Sequence, residues 1–282
     1  MSRRLLGLAA VGFLTAAIGS ATALGDGGPN PGVMQGWDGI TANSAVRYVA
    51  VGAGDRTVVE AISRLNGRVL SFTTVRGNFG IPVVAFDGTA GGLSRDGKTL
   101  VLGKSYVGAG LRNASSFAVL KVPGFRLRTT IKLRGDFAFD ALSPDGRMLY
   151  LVEHVSAQDL SRYRVRAYDI GARRLLKRTV TDRTRWQSVM QGMPITRANA
   201  ADGRWAYTLY TGNRHPFVHA LDTVRANAVC IDLPRSWRGL DLFGLRMRVE
   251  AEGTLVIRHR TGGRALAVIG MRKLRLLRVV RL

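Results

Sequence analysis

Apolar positions along this chain come in short runs, and several of those runs follow an acidic residue and a glycine. Asp96-Gly97 precedes Leu100-Val101-Leu102, Asp145-Gly146 precedes Leu149-Tyr150-Leu151, Asp202-Gly203 precedes Ala206-Tyr207, and Glu252-Gly253 precedes Leu255-Val256-Ile257. The four glycines lie 49, 57 and 50 residues apart. A degenerate earlier copy spans Thr41 to Ala50, with Ala45 in the glycine's place, 52 residues before Gly97. An acidic residue and glycine between apolar runs is a hairpin signal, because a tight turn needs a positive φ that glycine adopts without strain. A third β-like run follows each hairpin: Val58 to Ile62, Ser116 to Leu120, Tyr163 to Tyr168, Pro216 to Leu221 and Arg264 to Ile269. A fourth run closes each unit: Arg68 to Thr73, Leu127 to Leu133, Leu175 to Val180, Asn227 to Leu233 and Leu274 to Leu282. Most of these runs alternate as half-buried strands do.

Four strands per unit and five units at a period near fifty predict an all-β chain folded as a β-propeller of about five four-stranded blades. A six-bladed ring requires extra strands hidden in the 57-residue spacing and in the first unit. A β-sandwich is the runner-up, but it has no such period, and no long amphipathic helical stretch points to an α/β fold. Residues 24–40, with Gly27-Gly28-Pro29-Asn30-Pro31-Gly32, read as an N-terminal loop segment, and residues 41–282 as the propeller. The first strand of the first blade is drawn from residues 33–44, and ring closure is expected where the N-terminal segment meets the C-terminal strand. Gly77-Asn78-Phe79-Gly80-Ile81-Pro82 and Gln191-Gly192-Met193-Pro194-Ile195 read as connections between blades.

Leu142-Ser143-Pro144-Asp145-Gly146-Arg147-Met148-Leu149-Tyr150 followed by Val165-Arg166-Ala167-Tyr168-Asp169, with the later run Val218-His219-Ala220-Leu221-Asp222-Thr223, resembles the blade signature of bacterial exported YVTN-type, WD-repeat-like propellers. The resemblance covers roughly residues 45–270. It departs in the second blade, where Lys121-Val122-Pro123-Gly124 replaces the acidic turn, and in the last, where Gly270-Met271 does. It implies a fold and an exported setting but no function, since propellers host binding modules, lactonases, lyases, glycosidases and redox enzymes alike.

Export is also read from residues 1–23: Arg3-Arg4 form a positive start, Leu5 to Gly19 an apolar stretch, and Ala21-Thr22-Ala23 a small-residue cleavage pattern. Cleavage after Ala23 leaves a secreted or envelope protein, and an uncleaved signal anchor is the one membrane attachment weighed. No other apolar run approaches the roughly 20 residues of a membrane helix, which excludes a chain crossing the bilayer repeatedly on helices.

Charge changes the picture further. Lys and Arg number 42 against 19 Asp and Glu, a formal +23 that falls to +21 once Arg3 and Arg4 leave with the signal. Such a surplus attracts anionic polymers. Only six of the bases are lysine and the arginines are spread along the chain, which is also the mark of GC-rich coding. The tail is an exception: Arg272, Lys273, Arg275, Arg278 and Arg281 fall within eleven residues and form the candidate surface for an anionic partner, or guard a sheet edge against aggregation.

Candidate chemistry is sparse. Gly92 to Thr99 matches a phosphate-binding loop letter by letter, but that loop needs a helix after it and Leu100-Val101-Leu102 reads as strand. His215 and His219 lie four apart on a non-helical segment, about 13 Å along a strand and too far to share a metal. Cys230 is the single cysteine, so neither a disulfide nor a second thiolate for zinc is available. Trp186, Trp205 and Trp237 are read as packing residues rather than sugar platforms. Asp140, Glu153, His154 and, from the next blade, Arg197 are the candidate ligand-binding residues, since strand ends around a propeller channel can gather an acid, a histidine and an arginine. No Ser/His/Asp set is recoverable.

The sequence therefore reads as an exported, non-enzymatic propeller that binds a protein or an anionic envelope polymer, with no cofactor, metal or nucleic acid. The alternative is an enzyme of lactonase, lyase or glycosidase type working on a small molecule at the central channel.

Overall fold

The computed structural model describes residues 31–108, 110–183 and 188–280; the signal read over residues 1–23, Trp186 and Arg281 lie outside them. Among the described residues, twenty-two strands form five antiparallel sheets. Blade 1 holds β2 (Gly36–Thr41), β3 (Val46–Ala53), β4 (Arg56–Ser63) and β5 (Val69–Arg76). Blade 2 holds β6 (Phe79–Pro82), β7 (Thr99–Lys104), β8 (Ala114–Lys121) and β9 (Arg126–Arg134), with β1 (Val33–Met34) added inside β6. Blade 3 holds β10 (Phe137–Leu142), β11 (Met148–His154), β12 (Arg162–Asp169) and β13 (Arg174–Val180), and the short β14 (Met190–Gln191) also pairs β12. Blade 4 holds β15 (Pro194–Asn199), β16 (Trp205–Tyr210), β17 (Phe217–Asp222) and β18 (Asn227–Asp232); blade 5 holds β19 (Leu245–Glu250), β20 (Thr254–His259), β21 (Gly262–Gly270) and β22 (Arg275–Val279). The five-bladed propeller expected from the period is what forms.

The hairpins form for the reason the repeat suggested. Asp96 accepts from Ser94 Oγ at 2.6 Å and from Lys98 N at 3.0 Å, while Ser94 Oγ accepts from Thr99 N at 2.9 Å. Ser143, Asp145, Arg147 N and Met148 N repeat this set in blade 3. Gly97 and Gly146 supply the positive φ, 68° and 66°. The connections between blades 1, 2 and 3 share a second device: Thr57 Oγ1 donates to Gly77 O and accepts from Phe79 N, and Ser115 Oγ does the same with Gly135 O and Phe137 N. A hydroxyl at the start of each third strand thus satisfies backbone groups that the connection leaves without ladder partners.

Successive blades are joined by apolar clusters. Tyr48, Ala50 and Val59 meet Ile81, Leu100 and Leu102; Val101, Phe117 and Val119 meet Phe139, Leu149 and Leu151. Tyr163, Val165 and Val180 meet Tyr210, Phe217 and Leu221, and blades 4 and 5 close around Tyr207, Leu209, Leu255, Ile257 and the fully buried Trp237. The gap between the alternating faces of adjacent sheets is where the core sits.

Two expectations change. The loop read over residues 24–40 gives way to strand from Val33 onward, although the segment is rich in glycine. Gly39 is required there, because a Cβ would lie 2.0 Å from Tyr48 O on the neighbouring strand. The expected meeting of the N-terminal and C-terminal segments does not occur among the described residues: β22 pairs β21, and β1 pairs β6 through Val33 with Pro82 and Met34 with Ile81. The inner edge of β6 offers unpaired backbone groups next to the incoming chain, whereas β22 lies at the outer edge of blade 5.

Candidate functional site

A segment of blade 2 reaches across to blade 4. After β6 the chain leaves blade 2 over residues 83–91 and returns to pair Leu93 with Leu100 on β7. At its tip Phe86 N donates to Pro194 O at 2.9 Å and Asp87 N to Ile195 O at 3.0 Å, both on β15 of blade 4. Blades 2 and 4 are not successive, so this contact bypasses blade 3. Asp87 accepts from Thr196 Oγ1 at 2.5 Å and faces Arg246 of blade 5 at 3.9 Å, and Phe86 packs edge-on against Phe243 at 6.1 Å.

On the side of the acidic-Gly turns, a cavity of about 410 Å³ remains, lined by segments of blades 1 to 4 that include Arg95, Asp140, Arg197 and Asn199. Asp140 sits where the register of β10 against β11 shifts, between the pairs Phe139 with Leu151 and Ala141 with Tyr150. A bulge of this kind re-aims a side chain. Here it meets Arg197 of β15, whose guanidinium donates to Asp140 O at 3.0 Å and to the Asp140 carboxylate. Both side chains are 3% exposed, and Asp140 Oδ2 and Arg197 Nε have no hydrogen-bond partner. Behind them, at the blade 3–4 interface, burial pushes the Tyr163 and Tyr210 hydroxyls up and holds the His219 imidazole down to about 4.

Of the four candidate residues, the structure brings Asp140 and Arg197 together and places the other two elsewhere. Glu153 pairs with Arg166 at 2.7 Å on the face of β11 and β12. His154 lies at the end of β11 remote from the hairpin, 3.4 Å from Asp136, which also holds Arg112 at 2.6 Å. Burial works to raise the Asp136 carboxyl, but the His154 hydrogen bond and the Arg112 charge outweigh it and keep it below the ordinary range. Asp136, Arg112, Asp87 and Thr196 were not singled out from sequence. For Asp136 a signal existed, since Gly135-Asp136-Phe137 echoes Gly77-Asn78-Phe79 at the preceding blade connection. For Asp87 none did, because its partner is 109 residues away.

The remaining sequence motifs resolve structurally. The phosphate-loop match is the hairpin at Asp96-Gly97, continuing into β7 with no helix. His215 stands 3.8 Å from Asp232 near the rim, while His219 is buried within the sheet interface. Among the described residues no group of three or more His, Cys, Asp or Glu side chains is placed to hold a metal ion. The basic tail residues Arg272, Lys273, Arg275 and Arg278 are all exposed.

No family model matches this chain, and no curated protein does. Among solved structures it is similar to a functionally unknown protein from Desulfotomaculum acetoxidans, at TM-score 0.51 and 12% identity over 86% of this chain and 67% of that one. It is also similar to the Dos1 propeller, at 0.47 and 11% over 80% and 55%, and to TolB from Acinetobacter baumannii, at 0.44 and 11% over 83% and 51%. At these identities the likeness is one of fold, and the β-propeller itself is read from the five sheets described above.

Proposed function

We propose that this protein is an exported propeller of the YVTN type that binds an anionic polymer of the cell envelope along its outer strands, without catalysing a reaction. The observation that carries the reading is the placement of its bases. On β9, Arg126, Arg128, Lys132 and Arg134 are exposed; on β13, Arg174, Lys177 and Arg178; in the last turn and β22, Arg272, Lys273, Arg275 and Arg278. Several acidic side chains are meanwhile spent inside the fold: Asp136, Asp140 and Asp222 are buried against arginines. The surplus positive field is therefore presented at the rim of three blades, and an extended polyanion gains from several weak contacts at once. The same bases discourage strand addition at these edges, which leaves electrostatic rather than backbone recognition.

The test is binding of the mature chain to immobilised polyphosphate as a probe polyanion at increasing salt. Affinity is expected to fall at least about tenfold between roughly 50 and 200 mM salt, as counterion release demands. The variant R126E/R128E/K132E/R134E should bind more weakly and show a shallower salt slope. Salt-indifferent binding, no binding, or a variant equal to the parent overturns the reading. The second reading, an enzyme of lactonase, lyase or glycosidase type, draws on the cavity at the channel mouth, and turnover lost in D140N would favour it.

A further inference from the structure

A second feature lies at the opposite rim of the blade 3–4 interface. Met190 of β14 and Cys230 of β18 come from segments 40 residues apart, and Cys230 Sγ lies 3.8 Å from Met190 Sδ. Two sulfur ligands of one three-coordinate metal, at bonds of about 2.3 Å and an angle near 120°, stand about 4 Å apart. His219 is the cross-strand partner of Cys230 in the β17–β18 ladder, so both side chains leave the sheet on the same face, toward blade 3. His219 is 1% exposed and its Nε2 has no hydrogen-bond partner. A buried nitrogen without a partner is a cost that a ligand would remove.

We propose that Met190, Cys230 and His219 form a site for one monovalent soft metal ion, Cu(I). Thioether and thiolate donors select a soft ion over the hard divalent cations, and imidazole completes a three-coordinate set. On binding, the Cys230 thiol gives its proton to solvent, so that Cu(I) and thiolate make a neutral pair. Neutrality matters in an interface walled by Tyr163, Tyr210 and Phe217, where an uncompensated charge is expensive. An access path exists: a cavity of about 420 Å³ lined by Met190, Cys230, Phe217, Gln191, His215 and Asp232 opens beside the two sulfurs. Sequence reasoning set Cys230 aside for want of a second thiol; the second sulfur is a thioether, and only the pairing of β14 with β12 brings it within reach.

The test is an anaerobic titration of the full mature chain with Cu(I) held by a coloured competing chelator, with ascorbate keeping the metal reduced. One equivalent should pass to the protein, with X-ray absorption showing two sulfur scatterers and one nitrogen. C230S should abolish transfer, and M190L and H219Q should each weaken it at least about tenfold. Met190→Leu conserves volume, so it decides the matter even if the His219 variant fails to fold. No transfer to the parent overturns the proposal. So does transfer to M190L as tight as to the parent, which would mean an isolated thiol binding copper and a sulfur contact made for packing alone.

Discussion

Replacing Arg197 by methionine removes one partner of the Asp140–Arg197 pair while keeping much of the side chain's volume. Both groups are 3% exposed, and Arg197 supplies the Asp140 carboxylate and its backbone carbonyl with donors. Asp140 Oδ2 already lacks a partner, so the truncation leaves the whole carboxylate buried without a counterion. Breaking one half of such a pair costs about 3–5 kcal/mol. For a chain of this length that corresponds to a melting temperature lower by roughly 6–20 °C. The double variant Asp140→Leu with Arg197→Met should recover most of the loss, because no charge then remains to be desolvated. Urea unfolding of the parent, both single variants and the double variant completes the cycle. If R197M costs less than about 1 kcal/mol, as an exposed ion pair would, or if the double variant is no more stable than R197M, then the pair is not the buried interblade contact described above.

Three further outcomes follow from the same structure. Gly97→Ala and Gly146→Ala share the positive φ, but a Cβ meets open space at Gly97 and lies 2.4 Å from Thr99 Oγ1 at Gly146; thermal melts should show G146A as the more damaging, with G97A costing about 1 kcal/mol. Trp237 is fully buried between blades 4 and 5 and donates to Val280 O at 3.1 Å, so W237A should cost about 3–5 kcal/mol in chemical denaturation. Because the Asp136 carboxyl is held below its unfolded value, the stability it contributes is present at neutral pH and is lost as pH falls below the ordinary carboxylate range; D136N should flatten that acid limb of the unfolding midpoint.

The excursion over residues 83–91 bears on how the ring holds together. A propeller whose blades are joined by neighbour contacts alone distributes its stability around the circumference. Here blade 2 also reaches blades 4 and 5 through Asp87, Thr196 and Arg246. The excursion leaves a cavity of about 410 Å³ beside it, lined by segments of blades 1 to 4.

Short-range chemistry accounts for the part of this fold that is legible along the chain. Side-chain alternation, acidic-Gly turns and a fifty-residue period are written within a few residues of one another, and they specify strands, hairpins and the number of blades. Asp145-Gly146 folds as it does because Ser143 and the backbone two residues on lie within reach in any context. Which blades share a buried charge, where the N-terminal strand docks and which segment links blades 2 and 4 are settled by long-range packing. Asp140 and Arg197 are 57 residues apart, Asp87 and Thr196 are 109, and Met190 and Cys230 are 40. Those separations are bridged by the closure of sheets around an axis, and a local pattern carries no record of which faces that closure brings together. Glu153 and His154 show the same limit, being adjacent in sequence and yet paired with different partners, because successive residues of a strand point to opposite faces.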